Sequence, residues 1–227
     1  MSSDTRDPAT LVVFCRRPAP GIGKQRLAGV LGRSAAYTIS ELLLGTTLED
    51  LVAWPGPRVI APADEHDVAW ASALAVPELV VVPQSAGNLG VRLAGVDRLL
   101  RSAGHARLLY IGSDAPVLTT DDYQWARDGL ATHDVVLTPA IDGGVTCMGG
   151  RRPWPRLDDL PWSGTTLHAA LDERCRTAGL TVHTLPMRYD VDVPDDLCRL
   201  CGDLTADERP ARQALYRALC GLGYFPA

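Results

Sequence analysis

The sequence predicts an α/β fold built on one mostly parallel sheet. Three observations carry that expectation: short apolar runs alternate with helical patterns along the chain, 227 residues suit a single α/β domain, and no repeat or linker divides them. The first strand is expected at 11–15, followed by 58–61, 79–82, 108–111, 135–138 and 181–185, each bounded by turn residues. Helical patterns fill the gaps at 33–51, 64–75, 90–103, 120–131 and 165–178. Strand, helix, strand in that order implies right-handed crossovers between parallel neighbours. Thr119 or Thr120 should cap the fourth helix, with Asp121 and Asp122 in its first turn favouring the positive end of the helix dipole. We read residues 1–227 as one domain, with 1–10 flexible and 203–227 a helical C-terminal tail.

Composition narrows the function. Hydrophobic residues make up 46% and charged residues 22%, as in ordinary globular proteins, so one sizeable core is expected. A net charge of −5 argues against a nucleic-acid binder, which would show a basic stripe. No apolar run is long enough to span a bilayer, and the first ten residues are polar with Asp4 and Asp7, so neither a membrane anchor nor a secretory leader is expected. The cytosol is the expected compartment. Cysteines 15, 147, 175, 198, 201 and 220 then read as reduced, mostly buried thiols. Cys198 and Cys201 have CxxC spacing, but no second ligand pair follows, so both are expected to pack on one helical face.

Ligands of open α/β sheets bind beyond the carboxyl ends of the strands. After the first strand, Arg16 to Leu27 holds Gly21 and Gly23 with the cations Arg16, Arg17, Lys24 and Arg26. Glycines let backbone amides approach an anion closely, and the cations suit a polyphosphate. The loop is no Walker A motif, since Pro18 and Gln25 stand at two of its defining positions, and Arg26 breaks the dinucleotide fingerprint. Taken alone, these residues serve a solvated basic loop equally well.

After the fourth strand comes Gly112-Ser113-Asp114-Ala115-Pro116. A carboxylate there can hold Mg²⁺, a hard cation that takes one or two carboxylates and keeps its other positions for water and phosphates. An aspartate capping a turn is the equal alternative. Asp190 and Asp192 stand two apart in a segment read as extended, so they are expected on one side as adjacent carboxylates; a metal would reconcile them, and a solvated strand end explains the pair less fully. Gln84 to Arg92 offers amides able to read a base edge, and Asp142-Gly143-Gly144 reads as a turn. Histidines 66, 105, 133, 168 and 183 show no metal spacing, and no GxSxG elbow supports acyl chemistry.

Together these segments resemble the glycosyltransferase-A-like proteins known as rSAM/selenodomain-associated transferase 1, a family similar to 2-phospho-lactate guanylyltransferase and, more distantly, to the molybdenum-cofactor guanylyltransferases. The pattern is carried by Arg17, Pro18, Gly21, Lys24, Arg26 and Leu27, then Gln84, Gly87, Leu89, Gly90 and Arg92, then Gly112 to Pro116, Asp142 to Gly144, and Asp190 with Asp192. It runs in order from about residue 11 to 200. Gln25, Asn88 and Val145 depart from it, and Trp162-Ser163-Gly164-Thr165 matches only in part, so the resemblance says least about the acceptor.

The resemblance implies a Rossmann-like glycosyltransferase-A fold with a mixed sheet of about seven strands and helices on both faces. It implies a Mg²⁺- (or Mn²⁺-) dependent nucleotidyltransferase. Such an enzyme moves a nucleoside monophosphate from GTP or CTP to a small phosphate, phosphonate or carboxylate acceptor and releases pyrophosphate. Lys24, Arg26 and Asp114 would be catalytic. Gly21, Gly23, Lys24, Gln84, Gly90 and Arg92 would bind nucleotide; Asp142, Gly143, Gly144, Ser163 and Thr165 the acceptor; Asp114, Asp190 and Asp192 the metal. Its nucleophile is ionised at neutral pH, so no general base is needed. A nucleotide-sugar glycosyltransferase is the first rival and would recruit Asp142 as base. A non-catalytic nucleotide-binding protein is the second, against which the three aspartates speak.

Overall fold

The computed structural model of the chain describes residues 8–225. Seven strands form one sheet in the order β3-β2-β1-β4-β6-β5-β7. β1 (Thr10–Cys15) pairs in parallel with β2 (Arg58–Pro62) and β4 (Leu108–Gly112), and β2 with β3 (Leu79–Val81). β5 (Val135–Pro139) pairs in parallel with β7 (Val182–Thr184). β6 (Val145–Gly150), between β4 and β5, runs antiparallel to both. It is the one strand the element-by-element reading missed, because two glycines and a threonine interrupt its apolar character. The Asp-Gly-Gly turn before it was the available hairpin signal.

Successive side chains of a strand face opposite sides, so each sheet face has its own core. Leu11, Val13 and Cys15 of β1 pack with Leu44 and Leu51 of α2 (Arg33–Ala53) and with Tyr123, Ala126 and Leu130 of α5 (Thr120–Thr132). Val12 points the other way, toward Leu93, Val96 and Leu100 of α4 (Leu89–Ser102) and Leu171 and Cys175 of α6 (Leu167–Thr177). Thr119 caps α5 in a reciprocal box with Asp122, as expected. The helix expected at 64–75 is shorter: Asp64 accepts from the His66 amide and turns the chain through a 3₁₀ turn, Glu65–Asp67, before α3 (Val68–Ser72). The basic loop likewise gives way early to α1 (Gln25–Leu31).

Two further corrections concern the ends and the thiols. Residues 1–7 of the segment expected to be flexible lie outside the described residues, but Ala9 is buried, accepts from the Trp54 indole at 2.9 Å, and Thr10 opens β1. The C-terminal segment is core rather than tail. α7 (Pro194–Asp203) and α8 (Pro210–Gly221) bury Leu200, Cys201, Leu215 and Leu219 against Ile39 and Leu43 of α2; residues 226 and 227 lie outside the described residues. Within the CxxC, Cys201 packs there while Cys198 is exposed. The described cysteines are all free thiols.

Arg212 of α8 is fully buried. It donates to Glu49 and Asp50 of α2, at 3.0 and 2.7 Å, and to the carbonyls of Thr46, Pro116 and Leu118. Burial still pushes the Asp50 carboxyl up, against the pull of Arg212. The loop after β4 is therefore fastened to α8. Among the described residues no helix is long and apolar enough to cross a membrane.

Candidate active site

The turn between β1 and α1 reaches its shape through left-handed residues. Gly21 and Gly23 have φ of +78° and +68°, and Lys24 follows at +44°, a conformation that costs a non-glycine residue about 1 kcal/mol or more. Its ammonium holds Lys24 there. Its Nζ donates to Asp114 Oδ2 at 2.9 Å and to the Val191 carbonyl, with only 14% of the side chain exposed. Arg26 Nη1 meets Asp192 Oδ2 at 2.6 Å, but both side chains stand in solvent, where such a pair contributes little.

Asp114 follows the end of β4, and its carbonyl accepts from the Val191 amide at 2.8 Å. That bond fixes segment 190–192 beside the sheet. The segment arrives from Arg188, which bridges to Ala140 and exchanges backbone hydrogen bonds with Pro139 and Ile141 at the end of β5. Asp190 is thereby brought to Asp114 and to Asp142 of the β5–β6 turn, whose Oδ1 accepts from the Gly144 amide at 2.8 Å. Burial first, then the Asp114 and Asp142 carboxylates, push the Asp190 carboxyl up to about 6.

The expected Asp190–Asp192 pair is therefore corrected. Segment 190–193 belongs to no strand, Asp190 turns inward, and Asp192 stays with Arg26. The carboxylate neighbours of Asp190 are Asp114 and Asp142 instead. Among the described residues no three acidic, histidine or cysteine side chains close a metal cage, so Asp114, Asp190 and Asp192 do not converge as a preformed triad.

Two adjoining cavities meet at these residues. The outer one, about 590 Å³, is lined by Arg16, Arg17, Gly23, Lys24, Gln84, Arg92, Ser113 and Asp192. The inner one, about 310 Å³, is lined by Leu93, Tyr110, Asp142, Gly144, Thr146, Met148 and Asp190. Phe14, Leu89, Gly112, Asp114 and Trp162 line both. Cations thus crowd the outer cavity, carboxylates the inner, and Asp114 stands at the junction.

The other expected site residues divide unevenly. Gln84 Nε2 is bonded to the Ala61 carbonyl at 2.6 Å, and Arg92 Nε to the Gly87 carbonyl at 2.7 Å, so both outer-cavity side chains are held in place. Gly21 shapes the turn without lining the cavity. Gly90 faces away: a Cβ there would lie 2.2 Å from the Leu157 carbonyl oxygen and 2.4 Å from Trp162 Nε1, so its role is to let the 157–162 loop close on α4. Ser163 lines the outer cavity rather than the inner. Gly143 packs on the Thr165 carbonyl, its own carbonyl accepts from the His168 amide, and neither Gly143 nor Thr165 lines the outer or the inner cavity. Sequence reasoning missed Phe14, Tyr110, Thr146 and Met148, which look like ordinary strand residues until β6 is placed.

A sequence model for the family described as "Uncharacterized protein conserved in bacteria (DUF2064)" matches residues 47–164, just over half of the chain. The chain is 27% identical to the phosphoenolpyruvate guanylyltransferase of Chloroflexus aggregans, over 83% of this chain and 93% of that one. It is likewise 27% identical to the 3-phospho-D-glycerate guanylyltransferase of Phenylobacterium zucineum, over 87% and 95%. A crystal structure from Desulfovibrio desulfuricans G20, named as a candidate nucleotide-diphospho-sugar transferase, superposes with a TM-score of 0.87 at 25% identity, covering 98% of this chain and all of that one. A cytidylyltransferase from Leptospira borgpetersenii shares the fold at a TM-score of 0.57 and 12% identity, with 95% of each chain covered.

Proposed function

The chain belongs to the DUF2064 family, and we propose that it is a nucleotidyltransferase. It moves a nucleoside monophosphate from a nucleoside triphosphate, GTP before CTP, to a small acceptor carrying a phosphate, phosphonate or carboxylate, and pyrophosphate leaves. That the protein is a transferase follows from relatives and neighbours together. The observation that carries the finer reading is the position of Asp114, on the shared wall of a cationic cavity and an acidic one. A triphosphate suits the first, and the reacting α-phosphate would lie at the junction.

In this reading Arg16, Arg17, Lys24 and Arg92 neutralise the phosphates, with Arg26 able to leave Asp192 and join them. Asp114 and Asp190 would hold Mg²⁺ or Mn²⁺: their hard oxygens crowd one another with only the Lys24 ammonium, paired to Asp114, to offset them, and two carboxylates with substrate phosphates complete such a site. Asp192 joins the set only once Arg26 releases it. The bound ion supplies charge neutralisation at the phosphate under attack. An acceptor oxyanion is ionised at neutral pH, so orientation by the protein suffices.

One observation favours a second reading, glycosyl transfer from a nucleotide sugar. The carboxyl of Asp190, raised to about 6 beside Asp142, is suited to take a proton from a neutral hydroxyl. Incubation with GTP or CTP, Mg²⁺ and an acceptor phosphate should release pyrophosphate. Release of nucleoside diphosphate from nucleotide sugars, with no pyrophosphate from triphosphates, would overturn nucleotidyl transfer in favour of the second reading.

A further inference from the structure

We infer that the Lys24 ammonium is the protein's own stand-in cation at the Asp114 and Asp190 carboxylates, and that a triphosphate opens the site to a divalent ion by drawing this ammonium away; this rests on the nucleotidyl-transfer reading above. Of the 22 lysine and arginine side chains in the sequence, Lys24 is the only lysine. An ammonium is a compact point charge that can meet oxygens from several directions, whereas a guanidinium is a planar fork. The one compact cation of the chain therefore stands where the carboxylates gather.

Two oxygens hold it, and a further acid lies within its field. Nζ donates to Asp114 Oδ2 at 2.9 Å and to the Val191 carbonyl, and its charge offsets part of the repulsion that Asp114 and Asp142 exert on Asp190. The Lys24 and Asp114 side chains are 14% and 35% exposed, against 71% and 48% for Arg26 and Asp192, so the Lys24 pair is the better sheltered from water. Gly21 and Gly23 take left-handed angles without a side chain, but Lys24 takes one, φ +44°, with a long side chain to place. The ammonium's bonds offset that strain.

A divalent ion arriving alone meets an ammonium already on Asp114, so it enters against a like charge. The outer cavity supplies what removes the ammonium. Lys24 lines that cavity with Arg16, Arg17 and Arg92, and a triphosphate held there offers Nζ more negative charge than one carboxylate does. Once Nζ turns to phosphate, Asp114 Oδ2 is free, and Asp114 and Asp190 have lost their offset. Triphosphate and metal ion therefore bind with positive coupling, each tightening the other by the same factor.

The test starts without nucleotide, at about pH 8, where carboxylates are ionised. Binding of Mn²⁺ is read from the loss of the free ion's electron-spin-resonance signal. Lys24→Met should bind Mn²⁺ at least about tenfold more tightly than the unaltered protein, because a like charge has left the site. Lys24→Arg keeps a positive charge and should show no such gain, and adding Asp114→Asn to Lys24→Met should cancel it. A merely structural role for Lys24 predicts unchanged or weaker Mn²⁺ binding by Lys24→Met. That result overturns the inference, and pyrophosphate release from GTP or CTP by the unaltered protein then keeps nucleotidyl transfer standing. Tighter Mn²⁺ binding by Lys24→Met, with no pyrophosphate from the unaltered protein, supports the stand-in role and counts against nucleotidyl transfer. A second readout needs no variant, since protein isotope-labelled at lysine Cε gives a single resonance, that of Lys24. GTP or CTP in EDTA should shift that resonance as the ammonium turns to phosphate. A resonance unmoved at saturating nucleotide overturns the inference.

Discussion

Lys24 Nζ stands 2.9 Å from Asp114 Oδ2 and also binds the Val191 carbonyl, so one ammonium from the first loop joins the two segments that bring Asp114 and Asp190 together. Lys24→Met keeps the stem and removes the charge. It should weaken triphosphate binding by about tenfold or more and leave nucleoside binding nearly unchanged, because the loss is electrostatic. Calorimetry on both ligands checks this. Equal losses would mean that the residue acts through folding.

Asp114→Asn is nearly isosteric. The ion pair it weakens is partly exposed and worth about 1 kcal/mol or less, so the melting temperature should move by no more than about 2–4 °C. Turnover should fall by about two to three orders of magnitude. Full activity in that variant would remove Asp114 from the chemistry.

The Asp190 carboxyl predicts a pH dependence whose sign is fixed. Its value rises from 3.8 to about 6 on folding, so its contribution to stability is complete below pH 3.8 and is lost as pH rises through about 6. In EDTA the melting temperature should fall across that window. Two units at about 1.4 kcal/mol each set an upper bound of about 3 kcal/mol, reduced by solvent access. Asp190→Asn should flatten the slope and stabilise the metal-free protein above pH 6. Asp192→Asn, at an exposed pair, should change little. Parallel curves for Asp190→Asn and the unaltered protein would count against the carboxylate crowding.

Arg212→Met leaves Glu49 and Asp50 without the guanidinium that answers them at 3.0 and 2.7 Å. The cost should be about 3–5 kcal/mol. The same cross-link is why we propose that residues 1–227 form a single domain: calorimetric and van't Hoff enthalpies should agree in one transition, and a second transition from α7 and α8 would refute it.

The sequence showed those parts of the fold that depend on local pattern. β1, β2, β4 and β5 are apolar runs closed by turn residues, and the structure keeps their bounds within a residue. Cations after β1 and an acid after β4 could likewise be read as ligand-facing, because strand ends in α/β sheets point that way. Other features depended on long-range pairing. Asp142 reaches Asp190 only because β6 folds back between β4 and β5, and the glycines of β6 hid that strand. The alternation rule placed Asp190 with Asp192 by assuming a ladder, whereas the Val191 amide is drawn off to the Asp114 carbonyl. Gly90, expected to bind nucleotide, is instead a gap into which another loop packs.

The hydrogen bond from Arg212 to the Pro116 carbonyl spans 96 residues of sequence. During synthesis at about 5–20 residues per second, the loop that carries Asp114 waits some 5–20 s for the side chain that fastens it. Until then Glu49 and Asp50 of α2 lack the guanidinium that both accept from. The nascent chain consequently carries the loop after β4 without its anchor until α8 has emerged.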